Sequence, residues 1–279
     1  MKNGKLMVAP AMLWLSIFFV IPLLIVVAVS FAGRTPYGQI IFEFTLKNYL
    51  RFLEPLYLQI FADTLIVAVI TTVATIIMGY PLAYFIARLP KKWQQPGLIL
   101  VMIPFWINFL IRSYAWVIIL RTQGVVNTFL MKLGLIEQPL QMLYNDAAVM
   151  LGMIYALLPF MVLPIYNVLI KIDRDVINAA RDLGASSSYT FLKIILPLSI
   201  PGIISGITMV FVPALTTFVI SDLLGGGKIL LIGNVIEQSF KQNSNWHVGS
   251  GLSMVLMVFI IASMALVAKY DKEGEGSSF

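Results

Sequence analysis

The sequence has no cysteine, one histidine (His247) and little charge: 11% of its 279 residues are Asp, Glu, Lys or Arg, against about 25% in soluble domains. Without cysteine there are no disulfides, no thiolate nucleophile and no zinc–thiolate site. One histidine excludes a multi-histidine metal centre. No run of five basic residues appears, so the net charge of +6 is not concentrated into a nucleic-acid patch. What is abundant is apolar surface, with 59% hydrophobic residues and a mean hydropathy of +0.92. A water-soluble globule of this size cannot bury that much in one core. Soluble enzyme, secreted disulfide scaffold, disordered chain and DNA-binding domain are excluded, and a polytopic all-α membrane protein remains.

A spanning helix needs about 20 predominantly apolar residues. Six segments qualify, 8–32, 62–87, 97–120, 147–170, 198–221 and 248–268, within a single domain covering 1–279. They carry Pro22, Pro81, Pro104, Pro159, Pro164, Pro201 and Pro213. Proline in a span frees a backbone carbonyl that neighbouring helices or cavity water must satisfy, which suggests kinked helices around a pathway. Lys2 and Lys5 before the first run resemble a signal-peptide n-region, but the run is long, and an uncleaved first span is expected. With both termini inside, the cytoplasmic segments hold 11 Lys/Arg in 54 residues and the outer loops 7 in 81. This bias favours cytoplasmic termini. Residues 270–279 are polar and read as an irregular tail.

The cytoplasmic loop 171–197 is long and patterned. Asp173 or Asp175 is placed to cap a helix. Val176, Ile177, Ala180 and Leu183 recur at helical spacing, and Gly184 stands where a left-handed stop is wanted. A short amphipathic helix over 175–183 is expected, with Asn178, Arg181 and Asp182 on its polar face, then a second helix over 187–194. The periodicity fits an interfacial helix on lipid and equally a docking helix for a cytoplasmic partner.

Asn178-Ala179-Ala180, three residues, Gly184, nine residues and Ile194-x-Leu196-Pro197 resemble the permease signature of type I ABC importers. In order along the chain, Leu89-Pro90-Lys91-Lys92, Ile103-Pro104-Phe105-Trp106-Ile107-Asn108, Leu110-Ile111-Arg112, Leu157-Leu158-Pro159-Phe160-Met161-Val162, Ala180-Arg181-Asp182-Leu183-Gly184-Ala185-Ser186 and Ser221-Asp222-Leu223-Leu224-Gly225-Gly226 are similar to the B-type permease subunits of spermidine/putrescine importers. The resemblance implies a six-helix permease of a bacterial cytoplasmic (inner) membrane and a loop that acts as a coupling helix through Asn178, Ala179, Ala180, Arg181, Asp182, Gly184, Leu196 and Pro197. It further implies a second, homologous permease, a cytoplasmic ATPase dimer and an external polyamine-binding protein. The family usually has Glu where this chain has Asn178.

The chain is not expected to bind a cofactor or to act as an enzyme; ATP and magnesium belong to the ATPase partner. The only glycine-rich candidate for a phosphate loop, Gly225-Gly226-Gly227-Lys228, lacks the earlier glycine and is followed by Ile229. It reads as a turn. For a polycation, aromatic faces offer cation–π contacts of about 0.5–2 kcal/mol that still permit release. The third span supplies Trp106, about 14 Å deep at 1.5 Å per residue, with Asn108 and Tyr114. Asp222 follows the fifth span beside Ser221 and faces the outer vestibule in this topology. Tyr80, Tyr84, Tyr155 and Tyr166 are further pathway aromatics, and His247 is expected at the surface. Arg112, the one basic residue inside a span, is expected to pair with Asp222, Asp146 or Asp63 as a structural or gating ion pair.

Competing readings are a permease of this fold for another small solute, an autonomous secondary transporter and an intramembrane enzyme. An anion carrier would place more Lys or Arg in its spans. A secondary transporter would show inverted repeats or a midplane ion site. An intramembrane enzyme needs a nucleophile–base pair or a metal cluster.

Overall fold

A computed structural model describes residues 10, 12–35, 40, 41, 43–242 and 245–276. Lys2 and Lys5 lie outside the described residues. Among the described residues six helical segments are long and apolar enough to cross a membrane: Met12–Ser30, Pro55–Arg88, Phe109–Lys132, Asp146–Leu169, Ser187–Thr216 and Trp246–Val267. We number the helices α1 (Met12–Ser30), α2 (Lys47–Leu50), α3 (Pro55–Arg88), α4 (Lys91–Trp106), α5 (Phe109–Leu120), α6 (Val125–Lys132), α7 (Asp146–Leu169) and α8 (Arg174–Asp182). They continue as α9 (Ser187–Thr216), α10 (Val219–Gly225), α11 (Ile232–Lys241) and α12 (Trp246–Gly276). Two short strands, β1 (Gly33–Arg34) and β2 (Ile40–Ile41), pair antiparallel with Gly33 opposite Ile41.

Several boundaries differ from the hydropathy reading. The apolar run 97–120 is not one helix. Pro104 has no N–H and its ring obstructs the carbonyl four residues back. The chain turns extended at Ile107 (φ −74°, ψ 137°), and Asn108 starts a new helix. α3 begins at Pro55 and runs 34 residues, about 51 Å at 1.5 Å per residue, so the second span starts ahead of residue 62 and Asp63 lies within the helix. α12 continues through Gly276, so the tail expected to be irregular from Tyr270 is helical to that point. Extending an existing helix fixes one residue per hydrogen bond and needs no new nucleus.

Among the described residues two π-helical turns interrupt otherwise regular helices, Ser16–Val20 in α1 and Phe191–Ile195 in α9. Each stands directly before a residue followed by proline, Ile21-Pro22 and Leu196-Pro197. The amide of Ile21 reaches back to Ser16 and that of Leu196 to Phe191. The wider turn sits where the proline ring would otherwise meet the carbonyl four residues behind.

The chain divides into two compact units, 1–61 with 232–262, and 62–231 with 263–279. In the first, buried Asn48 closes the end of α1: its Nδ2 donates to the carbonyls of Ser30 (2.9 Å) and Ala32 (2.8 Å). Phe61 makes edge contacts with Phe52 and Phe259 at 5.2 and 5.0 Å. In the second unit α7 and α9 pack closely. Ser199, Gly202, Gly206 and Val210 form the buried stripe of α9. A Cβ on Gly202 would lie 2.9 Å from the Pro164 carbonyl oxygen, and one on Gly206 would lie 2.5 Å from Met161 Sδ. Small residues four apart let the backbones approach, the arrangement that helices in lipid use when no water drives them together.

Candidate functional site

The segment Asp173–Pro197 is built from local rules. The Asp173 carboxylate accepts from the Asp175 amide (2.9 Å), and Asp175 stands in the first turn of α8, where a negative charge meets the positive end of the helix dipole. Arg181 occupies the last turn, where a cation is favoured. Gly184 has φ +85°, and the amides of Gly184 and Ala185 return to the carbonyls of Arg181 (2.9 Å) and Ala180 (3.0 Å). This left-handed stop favours glycine. Ser186 caps the following turn by accepting from the Tyr189 amide (3.2 Å). The second helix expected over 187–194 continues without a break, through the π turn, into the fifth apolar span.

No residue of α8 is buried. Asn178, Ala179, Arg181 and Asp182 are exposed, Ala180 is half-buried, and Leu183 is 89% exposed. Leu196 is half-buried and Pro197 exposed at the start of the regular part of α9. The expected coupling residues on α8 are thus accessible, and the helix carries an exposed apolar stripe.

The membrane residues are placed less uniformly. Trp106 ends α4 with 71% of its surface exposed, and Tyr114 on α5 is exposed as well. Asn108, also exposed, caps α5: its side-chain oxygen accepts from the amides of Leu110 (2.9 Å) and Ile111 (3.4 Å). Asp222 is exposed on α10, whereas Ser221 is fully buried with its hydroxyl donating to the Phe218 carbonyl (2.8 Å). Ser221 is thus not the exposed position expected at the outer vestibule.

Arg112 is also corrected. It is buried, with 7% of its surface exposed, and its Nη1 donates to the Pro104 carbonyl (3.0 Å) rather than to a carboxylate. That carbonyl belongs to the last turn of α4, where acceptors lack helical partners, so the guanidinium bridges the break between α4 and α5. It lies 5.5 Å from the Phe109 ring centroid and 5.6 Å from that of Tyr155, within cation–π range. Tyr155 in turn packs edge-on against Trp116 at 5.3 Å. Like Arg112, His247 is buried instead of at the surface.

Gly226 and Gly227 have φ of +61° and +74°, so the triple glycine forms a fixed turn; a Cβ at Gly226 would overlap the Tyr144 ring. Among the described residues no group of three or more His, Asp or Glu is placed to hold a metal.

Known proteins agree with this architecture. Over 254 residues the chain is 44% identical to the spermidine/putrescine transport system permease protein PotB of Escherichia coli (strain K12), covering 91% of this chain and 92% of that one. A chain in the crystal structure of a bacterial ABC transporter involved in the import of the acidic polysaccharide alginate superposes with a TM-score of 0.78 at 17% identity, covering 98% of this chain and 96% of the other. A chain of the bacterial alginate transporter in complex with an alginate pentasaccharide-bound periplasmic protein gives 0.75 at 17% identity, covering 95% and 92%. The fold is that of a type I ABC importer permease, as the signature loop led us to expect. The model of binding-protein-dependent transport system inner membrane components matches residues 6–270, and the chain belongs to that family.

Proposed function

We propose that this chain is the transmembrane permease subunit of an ATP-driven importer that moves spermidine and putrescine inward. The observation that carries this reading is the 44% identity along 91% of the chain to a permease named for those two polyamines. The chain works beside a second, homologous permease, and a polyamine-loaded binding protein docks on its outer loops. A cytoplasmic ATPase dimer engages α8, and both termini are cytoplasmic. The exposed amphipathic surface of α8 supports the ATPase contact, since an uncovered apolar stripe gains about 25 cal/mol per Å² when a partner's groove removes it from water. ATP and magnesium bind the ATPase; this chain holds no cofactor and hydrolyses nothing.

Closure of the ATPase dimer displaces α8, and the two permeases alternate access. Trp106 and Tyr114 offer aromatic faces to the ammonium groups, and the Asp222 carboxylate receives them at the outer side. Such contacts bind weakly enough for the solute to leave. Asn108 borders this path while capping α5. Arg112 and Ser221 contribute structure.

The test is uptake of radiolabelled spermidine into vesicles holding the four-component assembly, competed by putrescine and by unrelated solutes. ATP-dependent uptake suppressed by putrescine alone is expected. An assembly that hydrolyses ATP in response to its binding protein yet moves no polyamine refutes the substrate assignment.

A further inference from the structure

Within the unit 62–231, three aromatic rings tie α3 to the start of α9. Tyr80 and Tyr84, one turn apart on α3, stack at 6.4 Å. Both receive Phe191, the first residue of the π turn, edge-on at 5.8 Å and 5.3 Å. Beyond the turn, Ser199 Oγ donates to the Leu196 carbonyl (2.8 Å), so in its 2.9 Å bond to Tyr80 it is the tyrosine hydroxyl that donates. The Arg88 guanidinium lies over the Tyr84 ring, 4.2 Å from its centroid. α3 therefore holds α9 at two points, by ring contact at the start of its π turn and by hydrogen bond beyond it.

A π turn is a place where a helix bends. This one lies seven residues beyond Gly184, the stop of α8. A push on α8 enters α9 through the short link Gly184–Ser186, and an unsupported π turn would absorb it by bending. Beside the cluster lies an open cleft of about 470 Å³, lined by Tyr80, Pro81, Tyr84, Ser187, Phe191 and Leu192, which leaves the first turn of α9 room to move.

We propose that Tyr80, Tyr84 and Phe191 form a clasp that passes the displacement of α8 to α3. They are positioning residues, and the proposal rests on the reading that an ATPase drives α8. Edge-to-face contacts depend on orientation, so rotation of the π turn drags both tyrosines with it.

The absence of cysteine from the sequence allows a direct test. A fluorophore at F85C, an exposed position on α3, reports movement of that helix when nucleotide is trapped in the full assembly. A shift is expected in the otherwise wild-type assembly, with its loss in Phe191→Leu and Tyr80→Phe and its return in Phe191→Tyr. Solute moved per ATP should fall about tenfold in the two defective variants, equivalent to about 1.4 kcal/mol, while the ATPase still co-purifies. No shift at position 85 in the otherwise wild-type assembly, or an unchanged shift in Phe191→Leu, overturns the clasp. Loss of the ATPase from both variants also overturns it, because the segment is then a docking surface. A wild-type assembly that shows the shift but transports no polyamine refutes the substrate assignment and leaves the clasp standing.

Discussion

Arg112→Met tests whether the buried cation serves the fold or a charge pair. The substitution removes a charged hydrogen bond to the Pro104 carbonyl and two ring contacts while keeping an unbranched side chain in place. A hydrogen bond to a charged group contributes about 1.5–3 kcal/mol, and each cation–π contact about 0.5–2 kcal/mol, rising with burial. Against this stands the desolvation of a guanidinium, which methionine does not suffer and which recovers several kcal/mol. Leaving the Pro104 carbonyl unpaired adds about 1–3 kcal/mol in the other direction. The expected net loss is about 2 kcal/mol, roughly thirtyfold in the unfolding equilibrium, measured by reversible denaturation in mixed micelles with Trp116 fluorescence following its contact to Tyr155. The decisive measurement is a double-mutant cycle with Asp222→Asn. A carbonyl-bonded Arg112 gives a coupling energy within about 0.5 kcal/mol of zero, the limit for independent sites. Coupling well above that would refute the reasoning and restore the ion pair.

Asn108→Ala removes the cap of α5 and should cost about 1 kcal/mol, whereas Asn108→Asp should retain stability; a large loss of uptake in the alanine variant at unchanged stability would make Asn108 a solute contact instead. Trp106→Ala should leave stability within about 0.5 kcal/mol, as for an exposed site without special contacts, and lower polyamine uptake; unchanged uptake removes Trp106 from the path. Gly202→Leu forces side-chain atoms against the Pro164 backbone and should lose about 1–3 kcal/mol in micelle denaturation, a result that a freely spreading α7–α9 contact would not give.

Much of this was legible in the sequence because it follows from local chemistry. Asp173, the spacing from Val176 to Leu183, and Gly184 specify a helix and its two ends without reference to the rest of the chain, and α8 closely matches the expectation. The six apolar segments are equally local, being a matter of length and hydropathy. The break after Trp106 was also written there, in Pro104 followed by an asparagine able to cap, but a hydropathy window averages over it. The partner of Arg112 was not legible. Any carboxylate at a similar depth satisfies a charge-counting argument, while a carbonyl left bare at a helix end appears only once the break is known. The burial of Ser221 and His247 and the approach of Phe191 to Tyr80 and Tyr84 depend on which faces meet, and periodicity does not specify that.

The π turn in α9 has a consequence for reading this helix as a wheel. Its extra residue puts the stretch Ser187–Thr190 out of phase with Leu196–Thr216 by about 100°, the angle one residue subtends. A projection drawn straight through would therefore assign the N-terminal end of α9 to the wrong neighbours. Deleting one residue from Phe191–Ile195 would remove the wider turn and swing the preceding turn, and α8 with it, by that same angle. In this segment a change of length is a change of direction, so substitutions should be tolerated there far better than single-residue insertions or deletions.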